Sequence, residues 1–152
     1  MSQPQLEFGG TEIFPAPPER IFDLLTDLDA VVAIVPDLVS SQRTGPQSVE
    51  CVVRPGFSFL RGTLKLKIEV RDLERPQRAT MLVAAQGIGV TIRIESHLHI
   101  EPVAEGAQLT WTAHIVEMKG LVASLSPALV RAAADQVIRH AWQQVRERHA
   151  GG

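Results

Sequence analysis

The sequence predicts an α+β protein in which a curved antiparallel sheet of about seven strands wraps around a long C-terminal helix, with two short helices after the first strand. Three observations lead to this prediction. Apolar and polar residues alternate along the middle of the chain, an apolar stripe at helical spacing follows residue 120, and prolines interrupt the strand pattern between residues 14 and 36. At 152 residues the chain is long enough for one core and too short for two, so we expect a single domain over residues 1–152.

The first strand is predicted over Gln5–Phe14 and is stopped by the prolines that follow, because proline cannot donate to a ladder. Pro18 suits the first position of a helix, and Asp27 suits the N-cap of a second one. Neither helix is long enough to be stable alone. Both must therefore pack against an apolar surface.

Later segments show the two-residue period of strands that have one buried and one wet face. The clearest are residues 63–71, 90–100 and 108–118. Turn residues separate the strands at 75–77, 86–89 and 104–106. Loops this short join antiparallel neighbours.

The last segment, Gly120–His149, predicts a long amphipathic helix that would lie along the apolar face of the sheet. One interruption occurs at Ser126 and Pro127. It is either a helix cap with proline in the first turn or a kink that divides a short helix from a longer one.

Composition narrows the possible partners. The net charge of -2 gives no sign of a nucleic-acid surface, and the single Cys51 cannot close an intramolecular disulfide. We therefore expect a reducing, cytoplasmic setting. No window reaches the roughly 18 uninterrupted apolar residues of a spanning helix, so any membrane association would be peripheral.

Several motifs together resemble a known family, the helix-grip fold of the SRPBCC, or START and Bet v 1-like, superfamily. Within it the chain is most similar to the CoxG group of carbon monoxide dehydrogenase subunits. The residues that carry the resemblance are the segment from Phe14 to Phe22, Leu25, Asp27, Ile34 to Pro36, Phe59 to Gly62, Gly87 to Gly89, Gly106 to Trp111 and Gly120 to Ala123.

The resemblance implies an apolar cavity between the sheet and the C-terminal helix. It also implies two other roles found in the superfamily: an accessory protein that places a molybdenum hydroxylase at a membrane or partner, and a polyketide cyclase-like enzyme. Fold alone does not choose among these. We rank binding of a hydrophobic small molecule or lipid without chemistry first, the accessory role second and the enzyme third.

The residues expected to line that cavity are apolar, which favours binding over catalysis. Ser96 is the clearest polar exception among the inward residues. The same residues could instead pack as a solid core. The predicted lining consists of Leu25, Ile34, Leu66, Ile68, Ile92, Ile94, Leu98, Trp111, Ala113, Ile115, Leu129, Ala133 and Val137.

No catalytic residue, metal site or cofactor is predicted. His97 and His99 share one face of a strand and could in principle share a metal, but that face is the polar one, so surface histidines are the better interpretation. Gly87-Ile88-Gly89 leads into a strand and is better explained as a hairpin than as a phosphate loop.

An apolar loop with basic flanks offers a possible contact surface. Phe57, Phe59 and Leu60 lie between Arg54 and Arg61. Such a loop could touch a membrane or an oxidoreductase partner, or it could fold under and cover the cavity mouth.

Overall fold

The computed structural model describes residues 6–35, 37–54, 62–120, 123 and 125–151. Seven strands and three helices lie in these ranges. In chain order they are β1 (Leu6–Phe14), α1 (Pro18–Thr26), α2 (Leu28–Ala33), β2 (Leu38–Gly45), β3 (Ser48–Val53), β4 (Leu64–Glu74), β5 (Arg78–Gly87), β6 (Val90–Val103), β7 (Gly106–Gly120) and α3 (Pro127–Gly151). The predicted α+β class and element order are confirmed.

The strands form one antiparallel sheet in the order β1-β7-β6-β5-β4-β3-β2. Consecutive strands pair from β2 to β7, as the short loops predicted. β1 instead pairs with β7, at the opposite edge from β2. The chain must therefore cross the width of the sheet between β1 and β2, and α1 and α2 form that crossing.

Local sequence signals place the ends of these helices. Pro18 is the first residue of α1, and the Asp27 carboxylate accepts a hydrogen bond of 2.9 Å from the Asp29 backbone N–H at the start of α2. The Arg75 guanidinium, on the turn after β4, donates to both carboxylate oxygens of Asp23 at 2.9 and 3.0 Å. This pairing lowers the pKa of Asp23 and ties α1 to the end of the sheet.

The start of α3 decides between the two alternatives left by the sequence. The Ser126 hydroxyl accepts a hydrogen bond of 3.2 Å from the Leu129 backbone N–H, and the helix begins at the next residue, Pro127. The Ser-Pro pair is therefore a cap with proline at the first helical position.

Strand register shows which side chains share the inner, concave face. Paired residues lie on the same face, so Val83 of β5, Ile94 of β6 and Ile115 of β7 form one row. A bulge between Arg93 and Ile94 then shifts the pairing. Met118 comes to the inner face beyond it, opposite Ile92, so the apolar row continues past the point where strict alternation along β7 would fail.

The most tightly packed part of the core lies where α1, β1, β7 and the end of α3 meet. We call this cluster the filled end; its members are Phe14, Ile21, Phe22, Leu109, Trp111 and Val145. Phe14, Ile21, Leu109 and Val145 are completely buried. Gly10 lets the Trp111 indole lie across β1, since a Cβ at that position would meet the ring at 3.2 Å.

Candidate functional site

The position of α3 determines which part of the inner face is covered. The helix runs close to α1 and β1. The Arg131 guanidinium lies 5.0 Å from the centre of the Phe8 ring, and Arg146 pairs with Glu12 near the other end of β1. These contacts hold α3 along one edge of the sheet.

The inner face beyond that edge is only partly covered. Its apolar side chains on β4 to β7 are half-buried, in contrast to the filled end. We call this region the open inner surface; it consists of Leu66, Met81, Val83, Ile92, Ile94, Ala113, Ile115 and Met118. Its side chains face inward and yet keep part of their area accessible.

The side of α3 that faces the sheet shows the same change. Val130, Val137 and Val145 lie within an arc of about 80° on the helix, given 3.6 residues per turn. Val130 is 9% exposed and Val145 is 0% exposed, whereas Val137 between them is 39% exposed. Nothing packs closely on the middle of this stripe. The helix and the sheet are therefore incompletely packed between their two points of contact.

The predicted lining residues fall into three groups. Leu25, Ile68, Leu98 and Trp111 are buried in the packed core. Leu129 and Val137, on α3, are exposed. The half-buried remainder consists of Ile34, Leu66, Ile92, Ile94, Ala113, Ile115 and Ala133.

Sequence reasoning missed Met81, Val83 and Met118. β5 reads Arg-Ala-Thr-Met-Leu-Val-Ala-Ala-Gln-Gly, apolar on both faces through its middle, so alternation could not show which residues face inward. Met118 reaches the inner face through the bulge. A bulge leaves little trace in a period-two pattern.

The chemistry of the inner face is nearly uniform. Among the inward residues that the structure describes on β3 to β7, none is charged and Ser96 carries the one hydroxyl. Cys51 is fully buried under α2, and desolvation raises the pKa of its thiol. Such a thiol is a poor nucleophile at neutral pH.

Two indoles border the filled end. The ring centres of Trp111 and Trp142 are 5.6 Å apart, and both N–H groups are buried with no hydrogen-bond partner in the described part of the chain. Because the solvent-accessible area of both nitrogens is negligible, they are not accessible to a molecule on the open inner surface.

A second concavity, of about 380 Å³, lies on the outer face of the sheet. It forms beside the irregular end of β4, where Asp72 adopts a φ of 54°. Its lining consists of Asp72, Glu74, Arg78, Ala79, Thr80, His97, Leu98, His99, Thr110 and Thr112. Because it is open and largely polar, water satisfies its groups and an apolar molecule gains little there. The open inner surface is the better candidate site.

The histidines of this outer concavity have protein partners. The Thr80 hydroxyl lies 3.4 Å from His97 Nδ1, and the Glu101 carboxylate lies 3.6 Å from His99 Nε2. Over the described ranges, no three His, Cys, Asp or Glu side chains are grouped as metal ligands. The loop with Phe57, Phe59 and Leu60 lies outside the described residues. None of the helices in the described ranges is long and apolar enough to cross a membrane.

Solved structures share this fold over most of their length. A conserved protein from Geobacillus kaustophilus aligns with a TM-score of 0.89 at 20% identity, covering 96% of each chain. Ara h 8.0201 aligns with a TM-score of 0.74 at 10% identity, covering 98% of this chain and 100% of that one. A START superfamily protein from Mycobacterium smegmatis aligns with a TM-score of 0.67 at 14% identity, covering 95% of both. At these identities the likeness shows the fold.

Sequence comparison adds the family. No curated protein matches the chain. The family model for the CoxG subunits of carbon monoxide dehydrogenase matches residues 10–150, which is nearly the whole chain. Together with the START-like fold of the solved relatives, this match shows that the protein belongs to the CoxG family of carbon monoxide dehydrogenase subunits.

Proposed function

We propose that the protein binds a hydrophobic small molecule or lipid between the sheet and α3, and that it does so without chemistry. The observation that carries this proposal is the open inner surface, whose eight apolar residues face inward and are only half-buried. A ligand that covers them gains about 25 cal/mol for each Å² of apolar area removed from water.

Two further features support binding over catalysis. The described inward residues on β3 to β7 carry no charged group that could act as general acid or base. The exposure of Val137, midway along α3, provides apolar contact on the side opposite the sheet. A ligand there would contact both layers.

The test is native mass spectrometry of freshly purified protein, followed by fluorescence titration with the neutral probe N-phenyl-1-naphthylamine. We expect a co-purifying apolar species or saturable probe binding. Ala113→Trp should abolish binding because the indole would occupy the space beside Ile115 and Ser96. Thr112→Trp is the matched control, since this neighbouring side chain lies on the outer face and is exposed.

The outcomes separate clearly. Saturable binding that is lost in Ala113→Trp and kept in Thr112→Trp supports the proposal. Binding that survives both changes would place the probe elsewhere. No bound species and no saturable binding would contradict the proposal.

Membership of the CoxG family favours a second candidate role, recruitment of a molybdenum-containing oxidoreductase to a membrane or partner. The test is co-sedimentation with anionic phospholipid vesicles, comparing the natural chain with Phe57→Asp. Loss of sedimentation in the variant, with probe binding unchanged, would support recruitment. Absence of the natural chain from the vesicle pellet would count against its membrane form.

A further inference from the structure

Ser96 is a polar group in an apolar setting. It lies on β6 opposite Met81 of β5 and Ala113 of β7. Along its own strand the next residues on the same face are Ile94 and Leu98. The Ser96 side chain therefore has apolar neighbours on all four sides within the sheet, and it is half-buried.

Other described hydroxyls at comparable positions have partners. Ser48 lies 2.9 Å from the Thr44 hydroxyl, Ser126 caps α3, and Thr80 lies 3.4 Å from His97. The Ser96 hydroxyl makes no hydrogen bond in the described part of the chain. A hydroxyl without a partner in an apolar environment loses free energy, so such a group calls for an explanation.

The charges around Ser96 restrict what could satisfy it. Glu12, the charged residue on the inner face of β1, is already paired with Arg146 of α3 at the filled end. No charged side chain lies inward on the described parts of β3 to β7. A carboxylate or ammonium group on a ligand would there be desolvated without a counter-charge, which is costly.

We propose that Ser96 determines the ligand class of the open inner surface by hydrogen-bonding to one neutral oxygen of an otherwise apolar molecule, such as an alcohol, a phenol or a ketone. This inference rests on the proposed binding function and deepens it. The apolar side chains supply the affinity, and Ser96 supplies the orientation and the preference for a neutral oxygen.

Three ligands of nearly the same shape test the inference by intrinsic fluorescence titration: naphthalene, 2-naphthol and 2-naphthoate. The measured quantity is the ratio of the 2-naphthol and naphthalene affinities in each protein. This ratio cancels the difference in ligand hydrophobicity. One net hydrogen bond corresponds to about a fivefold change in affinity, so we expect Ser96→Ala to lower the ratio about fivefold. Naphthalene affinity should stay nearly constant.

Thr112→Ala is the matched control, because it removes a hydroxyl from the outer face one residue from Ala113. This variant should leave the ratio unchanged. In the natural chain 2-naphthoate should bind at least tenfold more weakly than 2-naphthol. Binding of 2-naphthoate as tight as that of 2-naphthol would overturn the requirement for a neutral ligand.

The remaining outcomes distinguish the two proposals. If naphthalene binds to both proteins and the ratio does not change in Ser96→Ala, the role of Ser96 is wrong and the binding function stands. If neither naphthalene nor 2-naphthol binds to the natural chain, the binding function fails and the role of Ser96 fails with it.

Discussion

The filled end and the open inner surface are built from the same kinds of residue and differ in packing. At the filled end, Phe14, Leu109 and Val145 are completely buried between the sheet and α3. On the open inner surface, Ile94 and Ile115 face the same interior and keep part of their area accessible. The difference teaches that apolar composition does not decide whether an interior is filled. The path of the helix decides it, because α3 follows β1 and leaves the middle of the sheet uncovered.

The largest expected effect is at the filled end. Phe14→Ala should lower the free energy of unfolding by about 3 to 5 kcal/mol, because a fully packed aromatic side chain is lost and a cavity is left. Ile94→Ala on the open inner surface should cost less than half of that. Urea unfolding of the two variants measures both values. Equal losses would show that the two regions are packed alike.

A narrower comparison uses one helix and one substitution. Val145→Ala should cost about 1.5 to 3 kcal/mol, since Val145 is fully buried. Val137→Ala should cost less than about 0.5 kcal/mol, because Val137 keeps 39% of its surface exposed. Both are again measured by urea unfolding. A large loss in Val137→Ala would mean that α3 packs against the sheet along its whole length.

The smallest effect concerns the ion pair that ties α1 to the filled end. Arg75 lowers the folded-state pKa of Asp23 below its unfolded value of about 3.9. The pair therefore stabilises the fold above that pH, and its contribution is lost as the pH falls through the folded pKa. Because both side chains are more than half exposed, Asp23→Asn should cost at most about 1 kcal/mol at pH 7.

The pH dependence supplies the check on this pair. The difference between Asp23→Asn and the natural chain should close as the pH approaches 2, where the carboxyl group is protonated. Probe binding at pH 7 should be the same in both proteins, since the pair lies away from the open inner surface. A stability difference that persists at pH 2 would assign the loss to packing and not to charge.

Much of the fold followed from local signals. Pro18 and Asp27 marked the starts of α1 and α2, and the short turns predicted antiparallel neighbours from β2 to β7. These features depend on residues close in sequence. Pairing of β1 with β7 does not, because it joins strands about a hundred residues apart, and no local pattern encodes it.

The candidate site was predictable only in part. Ile92, Ile94 and Ile115 were assigned inward from alternation, and the register agrees. Met81 was missed because β5 is apolar on both faces, and Met118 because a bulge changes the phase of the strand. Alternation reports which face a residue occupies only where the two faces differ and the strand is regular.

By itself, the sequence determined the class of each element, the apolar face of most strands and the apolar character of the interior. Those properties follow from side-chain chemistry and from the periods of helix and strand. Only the tertiary structure decided where that interior is filled. That depends on the distance between α3 and the sheet, which is set by contacts such as those of Arg131 with Phe8 and Arg146 with Glu12. Residues more than a hundred positions apart make these contacts, so packing of the whole chain determines them.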